Sequence, residues 1–168
     1  MADTPNATNG TQQPPQFQAR VLSQYIKDLS FENPNVAKLL QGPGDNPNLR
    51  LEINVNAQKM GDNTFESTIQ LKGQATNTAG VIYDLEIEYA GLFQIEGLPE
   101  PVLEQFMLIN CPSLIFPFLR RLAADITREG GFPPLLLDPI DFGALYQERR
   151  KQAQAVAPGP SSPVALKA

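Results

Sequence analysis

Asp84, Glu86 and Glu88 alternate with Tyr83, Leu85, Ile87 and Tyr89 along the segment 81–93. Successive side chains of a β-strand point to opposite faces. A strand here therefore carries three carboxylates on one face and an apolar row, ending in Phe93, on the other. Like charges held side by side cost free energy, and within the strand no Lys or Arg interrupts the row. The row fits a docking surface for a basic partner and equally a solvent face that keeps the protein soluble. Calcium is disfavoured, because period-two spacing on a sheet fans carboxylates apart instead of converging them on an ion.

Other reactive chemistry is sparse. The chain has no His, which removes the commonest general base and metal ligand. One Cys with scattered carboxylates does not make a zinc site. Neither a phosphate-binding Gly-rich loop ending in Lys nor a Gly-x-Ser-x-Gly elbow occurs. Cys111 precedes Pro112 among apolar residues with no basic neighbour, the setting of a packed thiol and not of a nucleophile. No catalytic residue, metal site or cofactor is expected.

The elements that position the acidic strand emerge from patterning. Chain length of 168 residues, 42% apolar and 18% charged, suits one globular domain. A net charge of −5 argues against nucleic acid and against an anionic membrane surface. The first thirty residues have no basic start followed by an apolar run, so no secretory signal is expected. The most apolar segment, 106–119, is broken by Asn110, Pro112, Ser113 and Pro117 and reads as too short to span a bilayer. A single cysteine fits a reducing compartment, so the expected location is cytoplasmic. Residues 1–15 and 153–168 are polar or Pro-rich without periodicity and read as disordered tails around a domain at 16–152.

Within the domain, four strands come first. Phe17, Val21, Tyr25, Leu29 and Phe31 occupy odd positions against even-numbered Gln18, Arg20, Gln24, Asp28, Ser30 and Glu32. Leu49 to Gln58 and Phe65 to Lys72 alternate in the same way. Turn residues at 60–63 and 77–80 make strands two to four an antiparallel meander. The link from Phe31 to Asn48, with three Pro and two Gly, reads as a crossover too broken for a helix. Helices come next: a short one from Pro99 to about 109, and a longer one from Cys111 that Gly130-Gly131 caps. The extended link Phe132 to Leu137 leads to a last helix, capped by Asp141 and running from Phe142 to about 152. The fold class is α+β: a four-stranded antiparallel sheet with a crossover loop, packed by C-terminal helices. Segments 106–109, 114–119 and 132–137 are apolar on more than one side, which predicts oligomerisation or a binding groove.

Tyr25-Ile-Lys-Asp-Leu-Ser-Phe-Glu-Asn-Pro34, Gly91-Leu-Phe93, Cys111-Pro-Ser-Leu-Ile-Phe-Pro-Phe-Leu-Arg120 and the run from Gly131-Phe-Pro-Pro to Phe142 resemble the protein-export chaperone family SecB. The likeness covers residues 17–150 in order. It implies an ATP-independent cytosolic holdase that keeps unfolded preproteins export-competent and delivers them to the SecA motor. It also implies a homotetramer, a dimer of dimers with helices between sheets. By the resemblance, Asp28, Glu32 and Glu86 form the SecA-facing surface, which Asp84 and Glu88 extend. Leu85, Ile87 and Tyr89 correspond to assembly or client positions, with plain core packing as the competing role. A client groove is expected between Phe31, the crossover residues Val36 to Leu40 (Leu39 and Leu40 foremost) and the link, through Phe132, Leu135 and Leu137. The chain departs from the family pattern at Asp84, where an apolar residue is expected, and in having no Trp. Two alternatives remain: a SecB-like chaperone for a dedicated client of the toxin–antitoxin type, and a carrier of a small apolar ligand.

Overall fold

The computed structural model describes residues 17–42 and 45–156. The first expected tail, at 1–15, lies outside the described residues, as do Pro43 and Gly44 of the crossover and residues 157–168 of the second tail. Elements run β1 (Gln18–Glu32), α1 (Val36–Gln41), β2 (Asn48–Lys59), β3 (Thr64–Asn77), β4 (Gly80–Glu96), α2 (Glu100–Gln105), a π-helical turn (Phe106–Asn110), α3 (Cys111–Glu129) and α4 (Phe142–Val156). The sheet is antiparallel with strand order β1-β4-β3-β2, so the meander forms as patterned and β1 returns beside β4. β1 and β2 are its edges.

The pleat separates two faces. Leu85, Ile87, Phe93 and Ile95 of β4, Phe65, Ile69 and Leu71 of β3 and Val55 of β2 are buried under Cys111, Ile115, Leu119 and Ala123 of α3. Gly91 lies where α3 crosses closest. A Cβ there would stand 2.7 Å from the Phe93 ring and 2.9 Å from Ile115 Cγ2. Asp84, Glu86 and Glu88 lie on the opposite face, as the alternation requires.

Four expectations are corrected. The crossover holds a helix after all: a turn and a half, α1, started by Asn35, whose carbonyl accepts from Lys38 N at 3.0 Å and Leu39 N at 3.1 Å. The Asn35 side-chain amide also donates to Val81 O at 2.9 Å and pins the turn to β4. The expected pair of helices from 100 to 129 is one continuous helical run. Pro112 has no N–H to give its preceding turn, and the π-helical turn before it takes up the mismatch. That run is long and apolar enough, by length and composition, to cross a membrane; in this fold its Cys111, Ile115, Leu119 and Ala123 pack on the sheet. The last helix reaches Val156, four residues past its expected end.

The fourth correction concerns β1. Its register shifts once between Val21 and Ser23 and again between Ile26 and Asp28. Each bulge flips the parity of the residues after it, and the two cancel. Leu29 and Phe31 thus face the helices and Asp28, Ser30 and Glu32 the other side, as expected. Tyr25, opposite Ala90, moves to the polar face, and Gln24, opposite Gly91, moves to the helix side. Gly91→Val is expected to destabilise the protein by about 1–3 kcal/mol through overpacking, read as a lowered urea midpoint with unchanged slope.

Candidate functional site

Two surfaces meet at the end of β1, where Phe31 and Glu32 point to opposite faces. On the helix side lies an apolar groove of about 570 Å³. One wall is α1 with Val36, Leu39 and Leu40; the floor is Leu49, Ala75, Ile82 and Tyr83; the other wall is the link from Gly130 to Leu136. Phe31 packs behind it on Tyr83 and Phe132, with ring centroids 5.6 and 6.4 Å away, and Tyr83 lies 5.2 Å from Phe132. Leu40 is 83% exposed and Leu136 70%, so the groove opens apolar surface to water.

The link wall is fixed by the end of α3. Gly131 takes φ +87, a left-handed conformation that suits glycine. Gly131 N donates to Arg128 O at 3.0 Å and Phe132 N to Thr127 O at 3.1 Å, the two bonds of a Schellman cap. The fully buried Thr127 hydroxyl then accepts from Leu135 N at 2.8 Å while donating to Ala123 O at 2.9 Å. A Cβ on Gly130 would run into the Phe31 ring, so the aromatic ring rests directly on the helix end. Pro133 and Pro134 offer no N–H and stiffen the segment between these ties.

On the other face, pairing aligns Asp28 with Glu88, Ser30 with Glu86 and Glu32 with Asp84. The carboxylates are brought together, but the row is not bare. Lys72 of β3 pairs with Glu86 at 3.1 Å, Lys27 with Glu88 at 3.5 Å, and Gln74 Nε2 donates to Asp84 at 2.8 Å. Among the described residues no cation lies within 4.0 Å of Asp28 or Glu32, and both are exposed.

The same face holds a buried carboxylate, Glu66, only 3% exposed. It accepts from the Tyr25 hydroxyl, from Lys27 Nζ at 2.9 Å and from Gln58 Nε2 at 2.8 Å. Burial alone would raise its pKa, yet the Tyr25, Lys27 and Gln58 hydrogen bonds and the Lys27 charge together hold it below the usual carboxylate range. The hydrogen bond to Glu66 raises the pKa of Tyr25, and in the same way that of Lys27.

Of the expected groove residues, Leu39, Leu40, Phe132 and Leu135 line the cavity and Phe31 backs it. Leu137 is buried beside them in the core. Leu85 and Ile87 are sealed under α3, 0 and 2% exposed, and Tyr89 is half-buried on the same side. None of these three lines the groove. Residues that sequence reasoning missed include Thr127, Glu66, Lys27 and Lys72. Their partners lie on other strands or eight residues along the chain, and no periodicity announces them. Cys111 is buried, and burial pushes its thiol up to about 12. Among the described residues no His, Cys, Asp and Glu cluster could hold a metal ion.

The family described as preprotein translocase subunit SecB matches residues 10–153. A protein-export protein SecB of Maricaulis maris is 46% identical over 164 residues, which is 96% of this chain and 94% of that one. Its counterpart in Afipia carboxidovorans is 46% identical over 155 residues, 92% of this chain and 95% of that one. Among solved structures, a SecB-like chaperone of Mycobacterium tuberculosis, in complex with an antitoxin peptide, superposes with a TM-score of 0.57 at 18% identity. The match covers 73% of this chain and 90% of that chain and shows a shared fold.

Thr127→Val removes the acceptor for Leu135 N inside the protein and is expected to cost about 1–3 kcal/mol in chemical denaturation. For Glu66 the sign is that of a depressed acid. Its contribution is present above the ordinary value of 4.5 and is lost as pH falls through the depressed one. The stability gap between the natural chain and Glu66→Gln should therefore be widest at neutral pH and shrink in acid, measured by thermal unfolding across the acid range.

Proposed function

The chain belongs to the SecB family and is a protein-export chaperone; from the two surfaces of its sheet we propose how it performs that role. The groove between α1 and the link takes apolar stretches of an unfolded preprotein. The acidic face, centred on Asp28, Glu32, Asp84, Glu86 and Glu88, docks a basic segment of the SecA translocation ATPase. The observation that carries this reading is the adjacency of Phe31 and Glu32, which puts an open apolar groove and an acidic edge, unpaired among the described residues, back to back on one strand.

The chemistry suits each role. Apolar burial is non-directional, so aromatic and aliphatic walls accept many sequences. The groove's open mouth fits a chain that continues beyond it at both ends, which favours a polypeptide over a small enclosed ligand. Holding such a chain requires no bond making, and the protein acts without ATP and as a binding protein only. Docking through carboxylates is electrostatic, fast and salt-sensitive.

The protein assembles as a homotetramer, a dimer of dimers, in the cytoplasm. Support comes from apolar side chains that the sheet and helices leave outside: Val21, Ile26 and Leu29 on the helix side of edge strand β1, and Leu114 and Phe118 on α3, all exposed. Surfaces of this kind are characteristically covered by another copy.

The first test is dilution of a denatured, slowly folding preprotein into buffer without ATP. The protein should suppress both refolding and aggregation at about one tetramer per client. Glu86→Lys or Asp28→Lys should weaken SecA binding at least about tenfold at moderate salt while leaving refolding suppression intact. Leu40→Asp with Phe132→Ser should do the reverse. Unaltered SecA binding by both charge reversals refutes the docking assignment. Retention of a small apolar molecule through purification, without refolding suppression, refutes the groove assignment.

A further inference from the structure

Once the first bulge, between Val21 and Ser23, has shifted the register, the five carboxylates share a face only because β1 is bulged a second time. At Ile26 the register pairs with Tyr89, and at Asp28 with Glu88, so Lys27 and Asp28 together oppose one residue. Without that extra residue Lys27 would pair with Glu88, and Asp28 would pair with Ile87. Asp28, Ser30 and Glu32 would then turn toward the helices, and Leu29 and Phe31 would turn to water. With the first bulge in place, both surfaces of the proposed function depend on this second insertion, which restores the parity.

Glu66 sits where it can hold the bulge in place. It lies on β3, two strands away from β1, on the acidic side of the sheet. Its carboxylate takes the Tyr25 hydroxyl and the Lys27 ammonium, one residue on each side of Ile26. Between them β4 presents Ala90, opposite both Tyr25 and Thr68, and a methyl side chain leaves room for the long side chains to cross. Lys27 also meets Glu88, the residue the bulge faces. Gln58 of β2 donates to the same carboxylate, so one buried acid is bonded to both edge strands of the sheet. A bare carboxylate on an exposed sheet face would not be buried to 3%.

We propose that Glu66 is the positioning residue of the acidic docking face: by clamping Tyr25 and Lys27 it fixes the β1 bulge whose register sends Asp28 and Glu32 to the side of Asp84, Glu86 and Glu88. The register part stands on the structure alone, and the effect on the partner rests on the docking role given above.

Engineered disulfides read the register directly. Directly opposed residues of an antiparallel pair lie within disulfide reach. Ser30→Cys with Glu86→Cys links the native register, and Leu29→Cys with Glu86→Cys links the slipped one. Cys111 is buried with its thiol at about 12, so it does not compete. In the natural chain the first pair should close and the second should not. With Glu66→Ala the first yield should fall severalfold and the second should rise. SecA binding by Glu66→Ala, measured without the cysteines, should weaken about tenfold with refolding suppression reduced as well. Should Glu66→Ala fail to fold, Tyr25→Phe with Lys27→Gln removes the same clamp and is expected to give the same exchange of yields. Loss of stability with both yields unchanged overturns the proposal, because a merely stabilising acid would not choose between registers. A register exchange with SecA binding unchanged overturns the docking role instead and leaves the register inference standing.

Discussion

Strand β4 is hydrogen-bonded along its length to β1 on one side and β3 on the other, and its pleat divides the protein in two. One row, Leu85, Ile87, Phe93 and Ile95, is sealed beneath α3; the other, Asp84, Glu86 and Glu88, is turned away from it. Period-two geometry admits no intermediate arrangement, because a shift of one residue exchanges the rows completely. Burial of the apolar row therefore fixes the position of the carboxylates more firmly than any interaction the carboxylates make. Lys72 and Lys27 then reduce the repulsion that this placement imposes, each at one carboxylate of the row. The exposed Lys72–Glu86 pair contributes little to stability by itself, and the effect of both lysines is to leave a face that is acidic yet tolerable.

The groove is held open by a different means. An apolar cleft in water tends to close on itself unless its walls are tied elsewhere. Here the link is tied at both ends: by the Schellman cap at Gly131 and by the Thr127 hydroxyl on Leu135 N. Between the ties, two prolines limit the ways in which the chain can collapse. The facing wall, α1, is attached through Asn35 to β4. Neither wall needs the other for its position, so apolar side chains as exposed as Leu40 and Leu136 stay apart. Preorganisation of this kind lowers the ordering cost that binding would otherwise carry.

Much of this is legible in the chain. The alternation in β2, β3 and β4, the turns between them, the glycine stop after α3 and the Asp141 cap all appear where residue types require them. β1 is not, and the reason lies in its composition. Val21-Leu22 and Tyr25-Ile26 put apolar residues at both parities, so either phase fits and only the pairing with β4 decides. Helix α1 is hidden because Pro and Gly on both sides mark a loop, while its start depends on an asparagine bonded to a residue 46 positions away. The π-helical turn hides behind Pro112, whose missing donor reads as a helix start when it is an accommodated defect within one helix. The lysines that temper the acidic row come from other strands. A carboxylate run in sequence thus overstates the charge that the folded face presents.

The two surfaces obey different physics, and that difference matters for a protein that must both hold and release. Apolar contacts in the groove do not depend on ionic strength in the way that exposed charges do, whose reach is about 10 Å at 0.1 M salt. On the proposed docking role, a basic partner must compete with Lys72 and Lys27 for Glu86 and Glu88, while no cation among the described residues contests Asp28 and Glu32. The uncontested acids lie on β1, the same edge that carries Phe31 to the back of the groove. In that proposed role, the partner is thereby directed to the strand that backs the groove. A rigid strand cannot yield on one face alone, so a partner that draws on Asp28 and Glu32 acts on the strand that Phe31 anchors against Gly130 and Phe132. The bulged edge strand is where the charged face and the apolar groove meet.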